Sequence, residues 1–356
     1  MSILDQTDRW ASIDPQSMRL LLESFPEQVR AAWKAAQTIS FAVTHKPRNI
    51  VVTGLGGSAI GGDIVRLVIG RELRVPLIVN RDYTLPGFID SSSLVIACSY
   101  SGNTEETIST YQEAGQAKAS TVCITSGGRL EAMARSDGCP VVSLPVGLPP
   151  RAALGHSLVL LLGTLQALHL IPDMTASLEE TNELLSSLLG QYGSAIPEAR
   201  NLAKRVARSL HGKIIAIYGS NAILDAAAYR WRTQIEENSK NLAFHHVLPE
   251  MNHNELVGWR FPEGIMRFIG VVLLRDKGDH PQVQRRFDLT QEIIRERAGA
   301  LHEVWSEGES LLARILCTIY LGDFVSLYLA YLNDTDPTPV EVIEYLKRSL
   351  SATTDG

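Results

Sequence analysis

The stretch Ala-Cys-Ser-Tyr-Ser-Gly-Asn-Thr-Glu-Glu-Thr, residues 97–107, joins an apolar run at 94–98 to a polar segment of helical character. Its Ser and Thr side chains before the helix, Ser99, Ser101 and Thr104, can each donate an O–H, and Gly102 lets the backbone bend between them. The first N–H groups of a helix have no intrahelical partner and attract anions. The stretch therefore predicts a strand, a phosphate-binding loop and a helix, with an ordinary N-capped turn as the alternative.

The chemistry of this loop limits the kind of phosphate it could bind. Residues 97–107 contain no lysine or arginine. A loop for nucleoside triphosphates carries Gly-Lys-Ser or Gly-Lys-Thr. An anion held by hydroxyl and amide groups instead favours the phosphomonoester of a small metabolite.

Short β-branched runs alternate with helical stretches on both sides of this loop. The first set of predicted strands covers residues 50–53, 77–80, 94–98, 121–125 and 141–144. A second set covers 213–218, 243–247, 266–274 and 302–305, with a helix at 222–235 after its first strand. Continuous apolar strands joined by helices are typical of parallel sheets covered on both faces. The predicted class is α/β with two doubly wound, flavodoxin-like subdomains, which bind ligands at the carboxyl ends of their strands.

The chain has 356 residues, a length at which two domains are expected. We predict an N-terminal domain over 1–190, with the phosphate loop, and a C-terminal domain over 191–356. Gly57-Ser58 and Gly219-Ser220 each follow a predicted strand and open a helix, which favours a duplication. Only the first half carries a loop of the 99–104 type.

Composition and charge narrow the possible partners. The net charge is -6 and no basic block is present, so nucleic acid is not expected as a partner. The apolar stretch 152–170 is interrupted by glycine, histidine and glutamine, which suits a buried helix and predicts no membrane association. The four cysteines form no CxxC pair, and the first residues are too polar for a signal peptide. A cytoplasmic protein with reduced cysteines is expected.

A second glycine-rich loop, Gly-Leu-Gly-Gly-Ser-Ala at residues 54–59, directly follows the first predicted strand. It matches the G-x-G-x-x-A pattern of dinucleotide sites, which also requires an acidic residue at the end of the second strand. At that point, residues 81–82, an arginine stands beside an aspartate. The alternative is that Gly56 and Gly57 let the backbone approach a sugar while Ser58 adds a hydroxyl group.

Six motifs taken together resemble a known family. They are Gly-Leu-Gly-Gly-Ser-Ala-Ile-Gly-Gly-Asp (54–63), the loop 99–107, Leu-Pro-Pro-Arg-Ala (148–152), Gln-Ile-Glu-Glu-Asn-Ser-Lys (234–240), Asn-His-Asn-Glu (252–255) and Asp-Pro-Thr-Pro (336–339). In this order they look like the sugar isomerase (SIS) domains of the bifunctional phosphoglucose/phosphomannose isomerases. The resemblance covers nearly the whole chain. It implies a homodimer with shared active sites that interconverts fructose 6-phosphate with glucose 6-phosphate and mannose 6-phosphate through a cis-enediol.

The resemblance also implies roles for individual residues. Glu237 would move the proton between C1 and C2, with the adjacent Glu236 as the competing position. His253 would act as acid or base on the ring and would come from the partner subunit. Arg151, which follows two prolines, would stabilise the enediolate, or else it only pairs with a carboxylate at a helix start.

Further positions follow from the same resemblance. Lys347 would assist ring opening, although the adjacent Arg348 also fits plain surface charge. Thr338 is the candidate for the small residue whose side chain leaves room for either C2 epimer in the site. The predicted phosphate and substrate contacts are Gly56, Gly57, Ser58, Ser99, Ser101 and Thr104.

Neither a metal nor another cofactor is expected. His245, His246, His253 and Glu255 are close in sequence, but their spacing matches no zinc pattern, and an enediol route needs no metal. Two other functions stay open: a sugar-phosphate sensor without turnover, and an SIS isomerase for a different phosphosugar. A sensor would normally carry a DNA-binding or partner module, and an amino-sugar enzyme a glutaminase half; neither is visible in the sequence.

Overall fold

The computed structural model describes residues 3–41 and 46–351, which contain two parallel β-sheets. All the strands predicted from the sequence are present. In chain order they are β1 (Asn49–Thr53), β2 (Leu77–Asn80), β3 (Ser93–Ser99), β4 (Ser120–Thr125), β5 (Val141–Ser143), β6 (Ile214–Ser220), β7 (Ala243–Leu248), β8 (Ile269–Arg275) and β9 (Ala300–Trp305). The largest difference is at β8, because Met266, the predicted start, lies in a short helix that precedes the strand.

The strand order confirms the predicted doubly wound α/β class. The first sheet has the order β2-β1-β3-β4-β5, and every pairing in it is parallel. This is the flavodoxin-like order, whose ligand site lies where the chain switches direction between β1 and β3. The second sheet, β7-β6-β8-β9, repeats the first four positions of that order. The repeated topology agrees with the predicted relationship between the two halves.

Helices cover the faces of both sheets. In chain order they are α1 (Thr7–Ile13), α2 (Met18–Glu23), α3 (Phe25–Ala36), α4 (Gly57–Ile69), α5 (Glu105–Gln116), α6 (Gly128–Ser136), α7 (Leu154–Ala167), α8 (Thr175–Tyr192), α9 (Leu202–Leu210), α10 (Asp225–Ser239), α11 (Glu255–Gly258), α12 (Glu263–Met266), α13 (Pro281–Arg295), α14 (Leu311–Leu332) and α15 (Glu341–Ser351). Short 3-10 turns form at Ile3–Asp5, Pro150–Ala152, Glu198–Arg200 and Glu250–His253.

Helix α14 is the central helix of the protein. It is long and apolar enough to cross a membrane by length and composition, but 94% of its most apolar window is buried inside the protein. It packs against α8, α9 and α10, so its apolar side chains form the core. Burial of this kind is typical of a core helix that is hydrophobic all round.

The two sheets share a single large core. Buried side chains from β1 and from β6, such as Ile50 and Ile215, belong to one connected cluster that includes most of α14. The predicted domain boundary after residue 190 lies within α8, which is continuous from Thr175 to Tyr192. The division into 1–190 and 191–356 therefore remains a prediction.

Candidate active site

The two glycine- and serine-rich loops lie side by side at the carboxyl ends of β1 and β3. The backbone N–H of Tyr100 donates a hydrogen bond of 3.1 Å to Ser58 Oγ. Gly54 lies so close to the neighbouring strand that a Cβ atom there would be 2.6 Å from the carbonyl oxygen of Cys98. Because β1 and β3 are adjacent parallel strands, both loops open into the same crevice.

The predicted phosphate loop forms a compact set of hydroxyl groups. Ser99 Oγ lies 2.9 Å from Thr104 Oγ1 and accepts a hydrogen bond of 3.1 Å from the N–H of Gly102. Ser101 Oγ accepts a bond of 3.2 Å from the N–H of Asn103, and Ser101 is exposed. Thr104 is the N-cap residue of α5, but its hydroxyl faces Ser99. The structure thus brings the Ser99 and Thr104 hydroxyl groups together, whereas that of Ser101 is bonded within its own turn.

Gly102 is fixed by its surroundings. Its φ of +67° lies in the left-handed region, and a Cβ atom there would be 1.8 Å from the carbonyl oxygen of Gly127. The carbonyl of Gly102 accepts a hydrogen bond of 2.8 Å from the N–H of Leu130. Only glycine fits this position, and the loop 99–104 is therefore anchored to the start of α6.

The glycine loop also lies against Arg151. A Cβ atom on Gly57 would be 2.9 Å from the carbonyl oxygen of Pro150 and 3.4 Å from the Cα atom of Arg151. The 3-10 turn Pro150–Ala152 consequently packs on the start of α4. This close approach, which needs glycine at position 57, connects the crevice of the first sheet with the Arg151 side chain.

Arg151 is 5% exposed and joins two distant segments. Its Nη1 is 3.6 Å from Glu237 Oε2, and its Nε donates a bond of 2.7 Å to Asn238 Oδ1. Its Nη2 donates to the carbonyl oxygens of Pro337 (2.7 Å) and Thr338 (2.8 Å). Burial lowers the pKa of Arg151, and the Glu237 carboxylate opposes that shift. Arg151 therefore fixes the end of α10 and the segment before α15 around one guanidinium group.

A buried polar network holds the backbone of Arg151 and its partner Asn238 in place. Arg230 Nη2 donates to the carbonyl oxygen of Arg151 at 2.9 Å and to Asp323 Oδ2 at 2.7 Å. Asn238 Nδ2 donates to Ser326 Oγ at 2.9 Å. The sequence interpretation gave no role to Asn238, Arg230 or Asp323. A signal for Asp323 was available, because a carboxylate within an apolar helix needs a buried partner.

The two neighbouring glutamates have different surroundings. Glu236 Oε2 lies 3.9 Å from Arg232 Nε, and burial raises the pKa of Glu236. Glu237 instead faces Arg151, with 30% of its side chain exposed. Of the two, only Glu237 faces Arg151, whose backbone turn packs on the glycine loop.

An open pocket of about 730 Å³ is lined by both Glu236 and Glu237. Its lining includes Lys240, Asp336 and the first residues of α15, up to Ile343. Lys347 lies on α15, four residues beyond Ile343, so both side chains are on one face of the helix. The structure thus places the helix of Lys347 at the Glu237 pocket, with Lys347 itself exposed.

His253 lies elsewhere in the chain. It is exposed in the 3-10 turn Glu250–His253, beyond the carboxyl end of β7, whereas Glu237 precedes the amino end of that strand. The six residues of β7 span about 20 Å. The turn packs on α13, since Asn252 Nδ2 donates to Thr290 Oγ1 at 2.9 Å. Within one chain, the fold does not bring His253 to Glu237.

Thr338 contributes its carbonyl to Arg151, and its N–H bonds Asp336 Oδ1 at 2.8 Å. Its buried Oγ1 has no hydrogen-bond partner within the described parts of the chain.

Across residues 3–41 and 46–351, no group of three or more His, Cys, Asp or Glu side chains is arranged to hold a metal ion. His245 packs edge-on against Tyr229, with the ring centroids 5.3 Å apart.

Comparisons with known proteins identify the family of the chain. The family model described as "Bacterial phospho-glucose isomerase C-terminal SIS domain" matches residues 199–350. The chain is 44% identical over 333 residues to a bifunctional phosphoglucose/phosphomannose isomerase of Caldicellulosiruptor bescii. The alignment covers 93% of this chain and 98% of the relative. The chain is 38% identical to a protein of the same description from Aquifex aeolicus, covering 85% and 90%.

A solved structure shares the fold. The crystal structure of a glucose-6-phosphate isomerase like protein from Thermus thermophilus matches with a TM-score of 0.63 and 19% identity. The match covers 95% of this chain and 98% of that chain. At this identity the likeness supports the fold alone.

Proposed function

Because the chain belongs to the family of bifunctional phosphoglucose/phosphomannose isomerases, we propose that it interconverts fructose 6-phosphate with glucose 6-phosphate and with mannose 6-phosphate. The observation that carries the proposal is the contact between the glycine loop 54–59, which adjoins the predicted phosphate loop, and the turn of the buried Arg151, whose side chain faces the half-buried Glu237. Gly57 packs on the turn of Arg151, and Arg151 faces Glu237 at 3.6 Å. These contacts support a site in which the predicted phosphate loop and a proton-transfer group act on one substrate.

In the proposed reaction, Glu237 takes a proton from C2 of the open-chain aldose and returns it to C1, while the proton of the O2 hydroxyl moves to O1, which gives the ketose through a cis-enediol. The reverse reaction moves the proton back. The guanidinium of Arg151 stabilises the negative charge of the enediolate and keeps Glu237 ionised. Lys347 and His253 are proposed to assist opening of the sugar ring. No step in this route calls for a metal or another cofactor.

Thr338 is proposed to give both C2 epimers room. Its backbone is fixed by Arg151, while its small side chain carries an unpartnered hydroxyl. An intermediate that rotates about C2–C3 needs space rather than a specific contact. A bulkier residue at position 338 would restrict that rotation.

The phosphate site can be tested with Ser101→Ala. We expect the KM for fructose 6-phosphate to rise by about tenfold or more, because a hydrogen bond to a charged group is worth about 1.5–3 kcal/mol. The kcat should change by less than about threefold, since the lost bond is made in both the ground state and the transition state. Steady-state kinetics measure both values. Ser92→Ala is the matched control, because the half-buried Ser92 precedes β3 at the amino ends of the strands, the end opposite to Ser101. Equal KM values for the two variants would refute the phosphate site.

We propose that the enzyme is a homodimer in which His253 of one subunit completes the site of Glu237 in the other. The distance between these residues within one chain supports this arrangement. The surface formed by β7 and the segments that lead to β8 supports it as well, because several of its large apolar side chains are exposed. They are Phe244, Val257, Phe261, Ile265 and Phe268. As β7 is an edge strand of its sheet, this surface can pair with a second copy.

Mixing two inactive variants tests the shared site. Glu237→Gln and His253→Ala should each be inactive alone. After denaturation and refolding together, about half of the dimers are mixed, and each has one intact site, so activity should return to roughly a quarter of wild type. Analytical ultracentrifugation provides the dimer control. If the mixture stays inactive although mixed dimers form, both residues act within one subunit and the shared site is wrong.

A cytoplasmic location is also proposed. All four cysteines are free, and three of them are buried, which suits a reducing compartment. Burial raises the pKa of Cys98 and of Cys123 to about 12, so these thiols stay protonated and unreactive.

The decisive assay is conversion of fructose 6-phosphate to both aldose phosphates in the presence of EDTA. Formation of glucose 6-phosphate and mannose 6-phosphate is the expected result. If the protein binds fructose 6-phosphate without converting it, a sugar-phosphate sensor or an isomerase for another phosphosugar becomes the better account.

A further inference from the structure

Lys240 ends the helix that carries Glu237. It is the C-cap residue of α10, with a φ of 55° in the left-handed region. Its Nζ donates hydrogen bonds to the carbonyl oxygens of Glu237 (2.8 Å), Asn238 (3.3 Å) and Asp336 (2.8 Å). A cation at this point satisfies carbonyl groups that have no partner within the helix and compensates the negative end of the helix dipole.

Lys240 and Arg151 join the same two segments of the chain. Arg151 binds the side chain of Asn238 and the carbonyls of residues 337–338. Lys240 binds the carbonyls of residues 237–238 and of Asp336. The end of α10 and the segment before α15 are therefore held together by two cations. These segments provide Glu237 and Thr338, and they line the open pocket.

We propose, on the basis of the function proposed above, that Lys240 is a positioning residue for catalysis: its ammonium group holds Asp336 against the end of α10 and so keeps the Glu237 carboxylate aligned with Arg151. Lys240 does not need to contact the substrate for this role. Its effect reaches the reacting atoms through Glu237.

The protonation state of Lys240 gives this role a measurable signature. Partial burial and the nearby Arg151 lower the pKa of Lys240 to about 8, while Asp336, Glu237 and Glu341 oppose the shift. A neutral amine has two N–H groups for three carbonyl acceptors, so one bond is lost when the proton leaves. The alignment of Glu237 should therefore loosen, and kcat should fall, as the pH rises through about 8.

Stability should not fall over the same pH range. The pKa of Lys240 is lower in the folded chain than in the unfolded chain, so above pH 8 the unfolded state binds more protons. The contribution of Lys240 to the free energy of unfolding therefore increases with pH from about 8 up to the ordinary lysine pKa. A fall in kcat without a fall in melting temperature separates positioning from general structural support.

The experiment compares wild type, Lys240→Met and Lys240→Arg in kcat, KM and melting temperature between pH 6.5 and 9.5. A misplacement of about 1 Å can cost about 100-fold, so Lys240→Met should lose roughly 10- to 100-fold in kcat with KM within about threefold. Lys240→Arg should recover kcat to within about threefold at pH 7. Because arginine keeps its proton, this variant should also lose the alkaline fall near pH 8.

The matched control is Lys118→Met. Lys118 also follows a helix and has a φ of 58°, but it is exposed beyond α5, on the first half of the chain. If wild type is active and Lys240→Met has the same kcat as Lys118→Met, the inference is wrong. It is also wrong if Lys240→Arg is as slow as Lys240→Met, or if Lys240→Arg keeps the wild-type alkaline fall. If Lys240→Met does not fold, the pH profile of Lys240→Arg decides alone. Absence of turnover in wild type would instead refute the proposed function.

Discussion

Replacing Glu237 with glutamine is expected to lower the kcat for fructose 6-phosphate by about 100- to 10,000-fold, the range that a positioned general base contributes. Glutamine has nearly the same volume and keeps an oxygen that can face Arg151, 3.6 Å away in the native protein. It cannot accept the substrate proton. Formation of both aldose products should be lost together, because a single enediol leads to both.

Glu236→Gln is the matched control for this experiment. Glu236 is adjacent in sequence, but its carboxylate faces Arg232 at 3.9 Å, and we expect less than about a threefold change in kcat. The KM of each variant shows whether substrate still binds. If Glu236→Gln abolishes turnover and Glu237→Gln does not, the base has been assigned to the wrong glutamate.

The sequence was sufficient to predict the fold class and the strand, loop and helix around residues 99–104, while phosphate binding by that loop stays a prediction. Strands in a parallel sheet are continuous apolar runs, and the hydroxyl-rich loop 99–104 stands next to such a run. Both signals are local, so they can be read from neighbouring residues. The two loops then lie side by side because β1 and β3 are adjacent strands in a doubly wound sheet.

The supports of the site could not be predicted in the same way. Arg151 contacts Asn238 and Thr338, which lie 87 and 187 residues further along the chain. Nothing in the local pattern of those segments indicates which distant residues meet. Lys240 lies in the motif 234–240, yet its bond to the carbonyl of Asp336 depends on the path of a segment 96 residues further along the chain.

The position of the C-terminal helix relative to the pocket could not be predicted from the sequence either. A helix around Lys347 is evident from its pattern, but whether that helix covers the pocket depends on what packs against it. The structure has α15 exposed along residues 341–350, including Val342 and Tyr345. A single chain therefore leaves an apolar face open next to the site. The proposed dimer offers a surface that could cover it.

Replacing Asp323 with alanine is expected to lower the free energy of unfolding by about 3–5 kcal/mol, because it leaves the charge of Arg230 buried without its partner. Arg230 and Asp323 have side chains only 4% and 3% exposed, and Nη2 of Arg230 is 2.7 Å from Oδ2 of Asp323. Thermal or denaturant unfolding measures the loss. Glu131→Ala is the control, since Glu131 pairs with an exposed Arg135 and its removal should cost less than about 1 kcal/mol.

A double variant, Arg230→Met with Asp323→Leu, separates stability from activity. Replacing a buried ion pair by apolar residues of similar volume is often neutral, so the double variant should recover most of the stability lost in Asp323→Ala. It should not recover full activity, because the carbonyl of Arg151 loses the donor that Arg230 provides at 2.9 Å. Arg151 would then be less well fixed opposite Glu237. A double variant with both wild-type stability and wild-type kcat would show that the ion pair serves folding alone, whereas low kcat in a stable protein would place it among the supports of the active site.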